Sequence, residues 1–518
     1  MAELGSLDRF FAEAVLKKSG FYTEEAALSL GRLMQGSRAG HLCLKKEDLG
    51  SGIESLPASI LTEGSVLFPK APIVRSNNLY YLQKNWVYET YILQHVHRLR
   101  RNLRPSYYNS AALEENLALL AGKLLPAQAA AIRAAFQQSL SLICGGPGTG
   151  KTYTAAHLVK LLFSSLNRQE KKQFRVCITA PTGKAASHLR ASLHVHGCSD
   201  PALHIEASTL HRLLKLQPGR NRLFLDEKID ADLILVDEAS MVDTPLLAHL
   251  LESVGEESLL VLIGDPDQLP PVEAGTLFAE MGAFYGTALD QCMRTEDRFL
   301  QQLAQSVKEG DCEAFFRLWT PRREPLSAAA LYSRIDPMLS ESRPDPQMSF
   351  EKYSRFRILN AIRQGPEGAD SINRQIFQIL QNQGKWWAAP ILATVNDSFS
   401  GIYNGVSGVL VGQSRRIEAA YFPDPYTHEI GRFSTPPPYE LGFCLSIHKA
   451  QGSEFNEVYA LFPQGSENFG REALYTALTR AKKNIEIQGD PEILRKMILS
   501  TTRIMSGFSA RVKEWERV

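Results

Sequence analysis

Gly145-Gly146-Pro147-Gly148-Thr149-Gly150-Lys151-Thr152 follows directly on the apolar run Leu140-Ser141-Leu142-Ile143-Cys144 and leads straight into a helix-forming segment, residues 153–162. The pattern is G-x-x-x-x-G-K-T. Its glycines let backbone N–H groups curl around phosphate oxygens, its lysine reaches the terminal phosphates, and its final hydroxyl ligates Mg²⁺. A helix N-terminus behind the loop adds partial positive charge at the same place. A Gly-rich turn without chemistry needs neither all eight positions nor the flanking strand and helix. The stretch therefore marks a nucleoside triphosphate site and implies an α/β chain around it.

At 518 residues the chain exceeds what one hydrophobic core supports, roughly 250 to 300 residues, and implies several domains. Its 57 Lys+Arg nearly balance 56 Asp+Glu, so any nucleic-acid contact has to come from a local groove and not from a basic whole. The first residues carry Glu3 and Asp8 without a basic-then-apolar leader pattern, and no apolar run approaches the roughly 20 residues that span a bilayer. The expectation is a cytoplasmic protein with no membrane partner. Seven scattered cysteines without C-x-x-C spacing read as reduced thiols. His188, His194, His196, Cys198 and His204 crowd one region, but their spacing matches no common zinc pattern, and they read as polar loop residues.

Residues 1–110 carry no nucleotide motif and form a separate module ending in Tyr80, Tyr81, Trp86, Tyr88 and Tyr91. Such rings either fill the module's own core or present a partner surface. From Leu125 onward short apolar runs alternate with amphipathic helices, the signature of a parallel sheet, and residues 111–288 read as a first ATPase domain with a small β insertion near 213–231. Residues 175–179 form a strand ending at Thr182 and Lys184; residues 233–236 form another, ending in Asp237 and Glu238. Carboxylates at a strand's carboxyl end sit where open α/β sheets place ligands; one can hold Mg²⁺ and the next can deprotonate an attacking water. The strand at 259–263 ends in Gly264-Asp265-Pro266-Asp267-Gln268, and an amide there can bond both γ-phosphate and water. A second α/β region spans 289–395, with Arg294 near its start and a strand at 390–395. Short β runs at 396–440 read as a small barrel insertion, and the α/β pattern resumes over 441–518, where Arg480 is a candidate arginine finger.

These stretches together resemble the superfamily 1 DNA helicases, over residues 125–488. Val-Asp-Glu-Ala-Ser-Met-Val-Asp at 236–243, Pro-Thr-Gly-Lys-Ala-Ala at 181–186, Ser-Thr-Leu-His-Arg-Leu-Leu at 208–214 and Ile-His-Lys-Ala-Gln-Gly-Ser-Glu-Phe at 447–455 are similar to the RecD branch. Arg-Ile-Leu-Asn-Ala-Ile-Arg-Gln-Gly-Pro-Glu-Gly at 357–368 resembles the subunits of that branch found in exodeoxyribonuclease V (RecBCD). The resemblance implies two RecA-like motor domains closing on ATP and Mg²⁺, an SH3-like insertion at 396–440 and partner docking through residues 1–110. It implies adenine contact by Gln128, phosphate and metal contacts by Gly145 to Thr152 with Asp237, water activation by Glu238, and cleft contacts by Gln268, Arg294, Arg480 and Glu454. Cys-Met-Arg-Thr at 292–295 departs from the branch, which usually places an aromatic beside this arginine. Thr182, Lys184, Thr209, His211, His448 and Gln451 would line a single-strand DNA channel. The implied activity is 5′ to 3′ DNA unwinding at duplex ends, in double-strand break repair and recombination, beside RecB-like and RecC-like subunits and without a nuclease site in this chain. Alternatives are a free-standing helicase of the branch and a nucleotide-gated structural subunit.

Overall fold

Six short runs of the first motor region become one all-parallel sheet, in the order Gly286–Leu289, Leu140–Gly145, Leu259–Gly264, Leu233–Val236, Phe174–Ala180, Leu203–Thr209. The computed structural model describes residues 4–64, 67–101, 109–120, 122–166, 174–216, 227–271, 275–292, 298–320, 331–332, 339–340, 342–395, 402, 404–424, 429–502 and 504–515. Strands covered by helices on both faces need continuous apolar sequence, not alternation. Leu233–Val236 and Leu259–Gly264 are buried at every position. Leu259–Gly264 lies between Leu140–Gly145 and Leu233–Val236, so the phosphate loop, Asp237 and Gln268, all at carboxyl ends, meet at one edge. Of the insertion expected near 213–231, residues 217–226 lie outside the described residues.

The second region carries a parallel sheet of four strands, Cys444–Ser446, Phe356–Asn360, Phe455–Phe462 and Ala481–Gly489 in spatial order. The strand expected at 390–395 does not join it. Trp386–Ala393 pairs antiparallel with Ser407–Gln413 and with Tyr439–Leu441, and so belongs to the antiparallel sheet. Its apolar run looks like a parallel core strand because its residues, apart from partly buried Trp386, are buried too; periodicity cannot separate the two cases.

Two boundaries also move. Helix Gln83–Arg101, assigned by sequence to the N-terminal module, sends Tyr88, Ile92, Leu93, Val96 and Leu99 into the same core as Leu246, Leu250, Leu260 and Leu262 of the first motor unit. Arg98 Nη2 donates to Leu251 O (2.9 Å) and Val254 O (3.0 Å), and the Tyr91 hydroxyl donates to Glu252 Oε1 (2.6 Å). The aromatic cluster is thus internal: Tyr80, Tyr81, Trp86 and Tyr88 are all buried within this chain, which removes them as a surface for another subunit. At the other end, helix Phe508–Trp515 leaves the second motor unit and inserts Phe508 and Val512 into the first unit's core.

Candidate functional site

Gly148 and Gly150 hold φ of 75° and 81°, the left-handed region that disfavours any side chain. At Gly150 a Cβ would also lie 2.5 Å from Gln128 Nε2. Gln128 is buried; its carbonyl accepts from Leu125 N (3.0 Å) and its Nε2 donates to Thr149 O (3.3 Å). The amide expected at adenine therefore ties the loop to the start of helix Pro126–Gln137. Lys151 opens helix Lys151–Ser164 and its Nζ donates to Gly145 O (2.7 Å) and Gly146 O (3.0 Å), arching over the loop. Thr152 follows it in the helix's first turn, partly buried.

Asp237 ends its strand with Oδ1 accepting from Glu238 N (2.9 Å). Desolvation pushes its pKa up to about 7, the neighbouring Glu238 charge adds to the rise, and Lys151 opposes it. Glu238 adopts φ 50°, ψ 40°, a left-handed conformation costing roughly 1 kcal/mol or more for a non-glycine residue, of the kind that collects at functional sites. On the next strand Asp265 is fully buried, and burial raises its pKa. Gln268 Nε2 donates to Asp265 Oδ2 (3.0 Å). The buried Gln268 carbonyl oxygen has no hydrogen-bond partner among the described residues.

A cleft of about 970 Å³ opens beside the loop, walled by Gly146, Thr149 and Asp267 from the first motor unit and by Gln305, Lys308, Tyr475 and Lys482 from the second. The units touch across it. The Tyr475 hydroxyl donates to Asp265 Oδ2 (3.3 Å), and Lys308 pairs with Asp267 at 2.6 Å. A Cβ on Gly146 would lie 2.9 Å from the Tyr475 oxygen, so the close approach of the two units needs glycine there. Glu454 sits at the margin, 3.4 Å from Lys482.

Arg480 is placed otherwise than expected. It is buried, and its guanidinium donates to Thr476 O (3.2 Å), Ser453 O (3.3 Å) and Thr479 Oγ1 (3.2 Å). Carbonyls at the end of helix Gly470–Leu478 hold it as a helix C-terminus holds any cation; like Lys151, Asp237, Glu238 and Gln268, it stands behind the residues that wall the cleft. Arg294 lies outside the described residues.

Of the residues expected to face DNA, Thr182 and Thr209 are N-caps, accepting from Ala185 N (3.3 Å) and Arg212 N (3.4 Å). His211 is exposed. His448 is partly buried, with its pKa lowered by burial and its ring edge-on to Phe469 at 5.9 Å. Lys184 is exposed, and its Nζ reaches Ser453 Oγ of the second unit at 2.8 Å. Gln451 departs from the expectation: it is buried and its Nε2 donates to Leu269 O (2.6 Å) across the cleft, because the 3-10 turn His448–Ala450 aims it at the other motor unit. Sequence reasoning missed Asp265, Lys308, Tyr475 and Thr476. Tyr475 and Thr476 lie in the stretch that carries Arg480, and two polar residues on a helix otherwise buried were the available signal; Lys308 offered none. Among the described residues no group of three or more His, Cys, Asp or Glu could hold a metal ion; Cys198 is buried and His196 packs against Tyr153.

A family described as an AAA domain matches residues 128–274, and one described as a UvrD-like helicase C-terminal domain matches residues 441–485. A Mycolicibacterium smegmatis protein named RecBCD enzyme subunit RecD is 30% identical over 94% of this chain and 93% of its own length. This chain belongs to the RecD family. A Mycobacterium tuberculosis RecD is 30% identical over 98% of this chain and 94% of its own. The ATP-dependent RecD2 DNA helicase of Deinococcus radiodurans is 31% identical over 66% of this chain but only 46% of its own length.

The RecD-family site suits a magnesium nucleotide. A desolvated Asp237 carrying a raised pKa is a group that a divalent cation would neutralise, and Thr152 stands in the first turn of helix Lys151–Ser164, directly behind the Gly-rich loop. No helix of the described residues is long and apolar enough to cross a membrane.

Proposed function

We propose that this chain is the ATP-driven DNA motor of a RecBCD-type helicase-nuclease, moving 5′ to 3′ along single-stranded DNA from duplex ends in double-strand break repair and recombination. It is an ATP-dependent DNA helicase of the RecD family. The carrying observation is that the phosphate loop, the paired carboxylates and Gln268 all follow the carboxyl ends of strands of one parallel sheet, beside a cleft that Tyr475 and Lys308 wall from helices of the second unit. ATP and Mg²⁺ are its cofactors. Thr152 and Asp237 would hold the ion, which when bound neutralises charge on the phosphates. Lys151 holds the terminal phosphates, Glu238 takes the proton of the attacking water, and the unpaired Gln268 carbonyl accepts the water's other hydrogen. Arg480 would serve as a finger only after moving toward the phosphate, and Arg294 is the other candidate. Thr182, Lys184, Thr209, His211 and His448 would grip the strand.

The relatives matching nearly the whole chain are named as RecBCD subunits, whereas the RecD2 relative extends far beyond it. This favours RecB-like and RecC-like partners, in the cytoplasm, over a free-standing helicase. Docking falls to the outer face of the N-terminal module, where Phe10 is 70% exposed, and the antiparallel sheet would be the SH3-like accessory. The test is hydrolysis with and without oligo(dT), together with displacement from duplexes tailed at either end. Strong stimulation and displacement from 5′ tails are expected; hydrolysis indifferent to DNA would leave a nucleotide-gated scaffold instead.

A further inference from the structure

The loop that carries Gln268 emerges from the first motor unit's sheet, yet its next residue is held by the second. Leu269 is buried, and its side chain lies in the same core as Leu303, Ala450, Leu474 and Leu478, all of the second unit. Its backbone is gripped on both sides. Leu269 N donates to Thr476 Oγ1 (2.8 Å), and Leu269 O accepts from Gln451 Nε2 (2.6 Å). Thr476 is 0% exposed and Gln451 6% exposed. A backbone N–H and C=O of one buried residue, whose partners among the described residues are two side chains of another unit, cannot shift without leaving polar atoms unpaired.

We propose that Leu269 is a joint fixed to the second motor unit, and that Thr476 and Gln451 are positioning residues which set where Gln268 stands over the nucleotide. The joint rests on the reading of Gln268 as the group that meets phosphate and water. Gln451 comes from the turn after His448, in the stretch expected at DNA, and Thr476 from helix Gly470–Leu478, just before Arg480. One residue, Leu269, thus joins both of these stretches to Gln268. Movement of the second unit along DNA carries Leu269 with it, and Gln268 is displaced or restored relative to Lys151 and Glu238. The physical element is a short chain of packed and hydrogen-bonded atoms, not proximity alone.

The test uses the full-length chain co-expressed with its partner subunits, and compares wild type with Thr476→Val, Thr476→Ser, Gln451→Leu and the Val/Leu double variant. Valine keeps threonine's shape and removes the hydroxyl; serine keeps the hydroxyl. Amide hydrogen exchange in the peptide covering residues 265–271 should quicken about tenfold or more in Thr476→Val and stay near wild type in Thr476→Ser. The oligo(dT)-stimulated kcat should fall about tenfold in Thr476→Val, with the KM for ATP and the Kd for DNA changed by less than about twofold and serine restoring the rate. Because both side chains grip the backbone of one residue, Leu269, the double variant should lose little more than the worse single, within about twofold. Unchanged exchange in Thr476→Val overturns the joint. Quickened exchange with normal stimulated turnover overturns the positioning role, as does a loss confined to KM or one that multiplies between the singles. If wild type itself shows no DNA stimulation, the motor reading fails, and the exchange result still decides whether the joint exists.

Discussion

Lys151 Nζ is hydrogen-bonded, among the described residues, to the carbonyls of Gly145 and Gly146, and its charge acts on Asp237 and Asp265 without a hydrogen bond to either. Lys151→Ala should leave the melting temperature nearly unchanged and lower ATP hydrolysis by about 10²-fold or more, the size of effect seen when one preorganised donor to a transition state is lost. Glu238→Gln should keep nucleotide binding and lose hydrolysis, because the amide preserves shape but takes no proton; normal turnover would assign water activation to another group. Asp237 allows a test of electrostatics without any substrate. Its folded pKa of about 7 lies above the ordinary aspartate value of about 3.9. The carboxyl's favourable contribution is thus complete below about pH 4 and is lost as pH rises through about 7. Asp237→Asn should accordingly match wild type near pH 4 and be more stable by on the order of 1–3 kcal/mol at pH 8, a range that allows for partial solvent screening. Urea melts at the two pH values, without nucleotide or magnesium, measure it; an advantage independent of pH would mean that Asp237 is not desolvated.

At the scale of elements, the C-terminal segment acts as a strap. Gly507 N donates to Glu89 Oε2 (3.0 Å), Arg511 pairs with Glu89 at 2.9 Å, and its guanidinium lies 3.8 Å from the Trp86 ring centre. Glu89 is fully buried, and burial raises its pKa despite the arginine. Removing one partner of a buried pair strands the other charge, at about 3–5 kcal/mol, while replacing both is far milder. Arg511→Met should therefore lower the denaturation midpoint sharply, and Glu89→Gln combined with Arg511→Met should recover most of it. Additive losses in the two single variants would show that the pair is not coupled.

On the whole-molecule scale, the N-terminal module and the first motor unit share a core, so they do not separate at residue 110. Ile92, Leu93, Val96 and Leu99 are each at most 3% exposed, and burying each side chain contributes roughly 1.5–3 kcal/mol. Their sum rivals the 5–15 kcal/mol net stability of a typical protein. Deleting residues 1–110 should yield an aggregated chain without ATPase activity, whereas a chain starting at residue 83 keeps the helix and should retain some. Both outcomes are read by gel filtration and oligo(dT)-stimulated hydrolysis. A soluble, active chain lacking residues 1–110 would show that the shared core is dispensable.

Local chemistry was written in the chain wherever a residue's role follows from its immediate neighbours. The glycines of the phosphate loop, the carboxylates after a buried apolar run and the polar loop after the strand at 259–263 were legible because each needs only a few flanking residues to make its case. That the sheet is parallel followed from the alternation of apolar runs and helices, whereas the order of its strands came from the fold. Domain borders were not legible: helix Gln83–Arg101 and helix Phe508–Trp515 carry ordinary apolar stripes, and a stripe says that a face is buried without saying against what. Nor was the strand Trp386–Ala393 assignable, since a run buried on both faces looks the same in either sheet. Arg480 and Gln451 fit a sequence pattern, but where their side chains end depends on the gap between two motor units. Leu269 crosses that gap to sit in the second unit's core, a contact between residues some two hundred positions apart, which only the folded chain brings together.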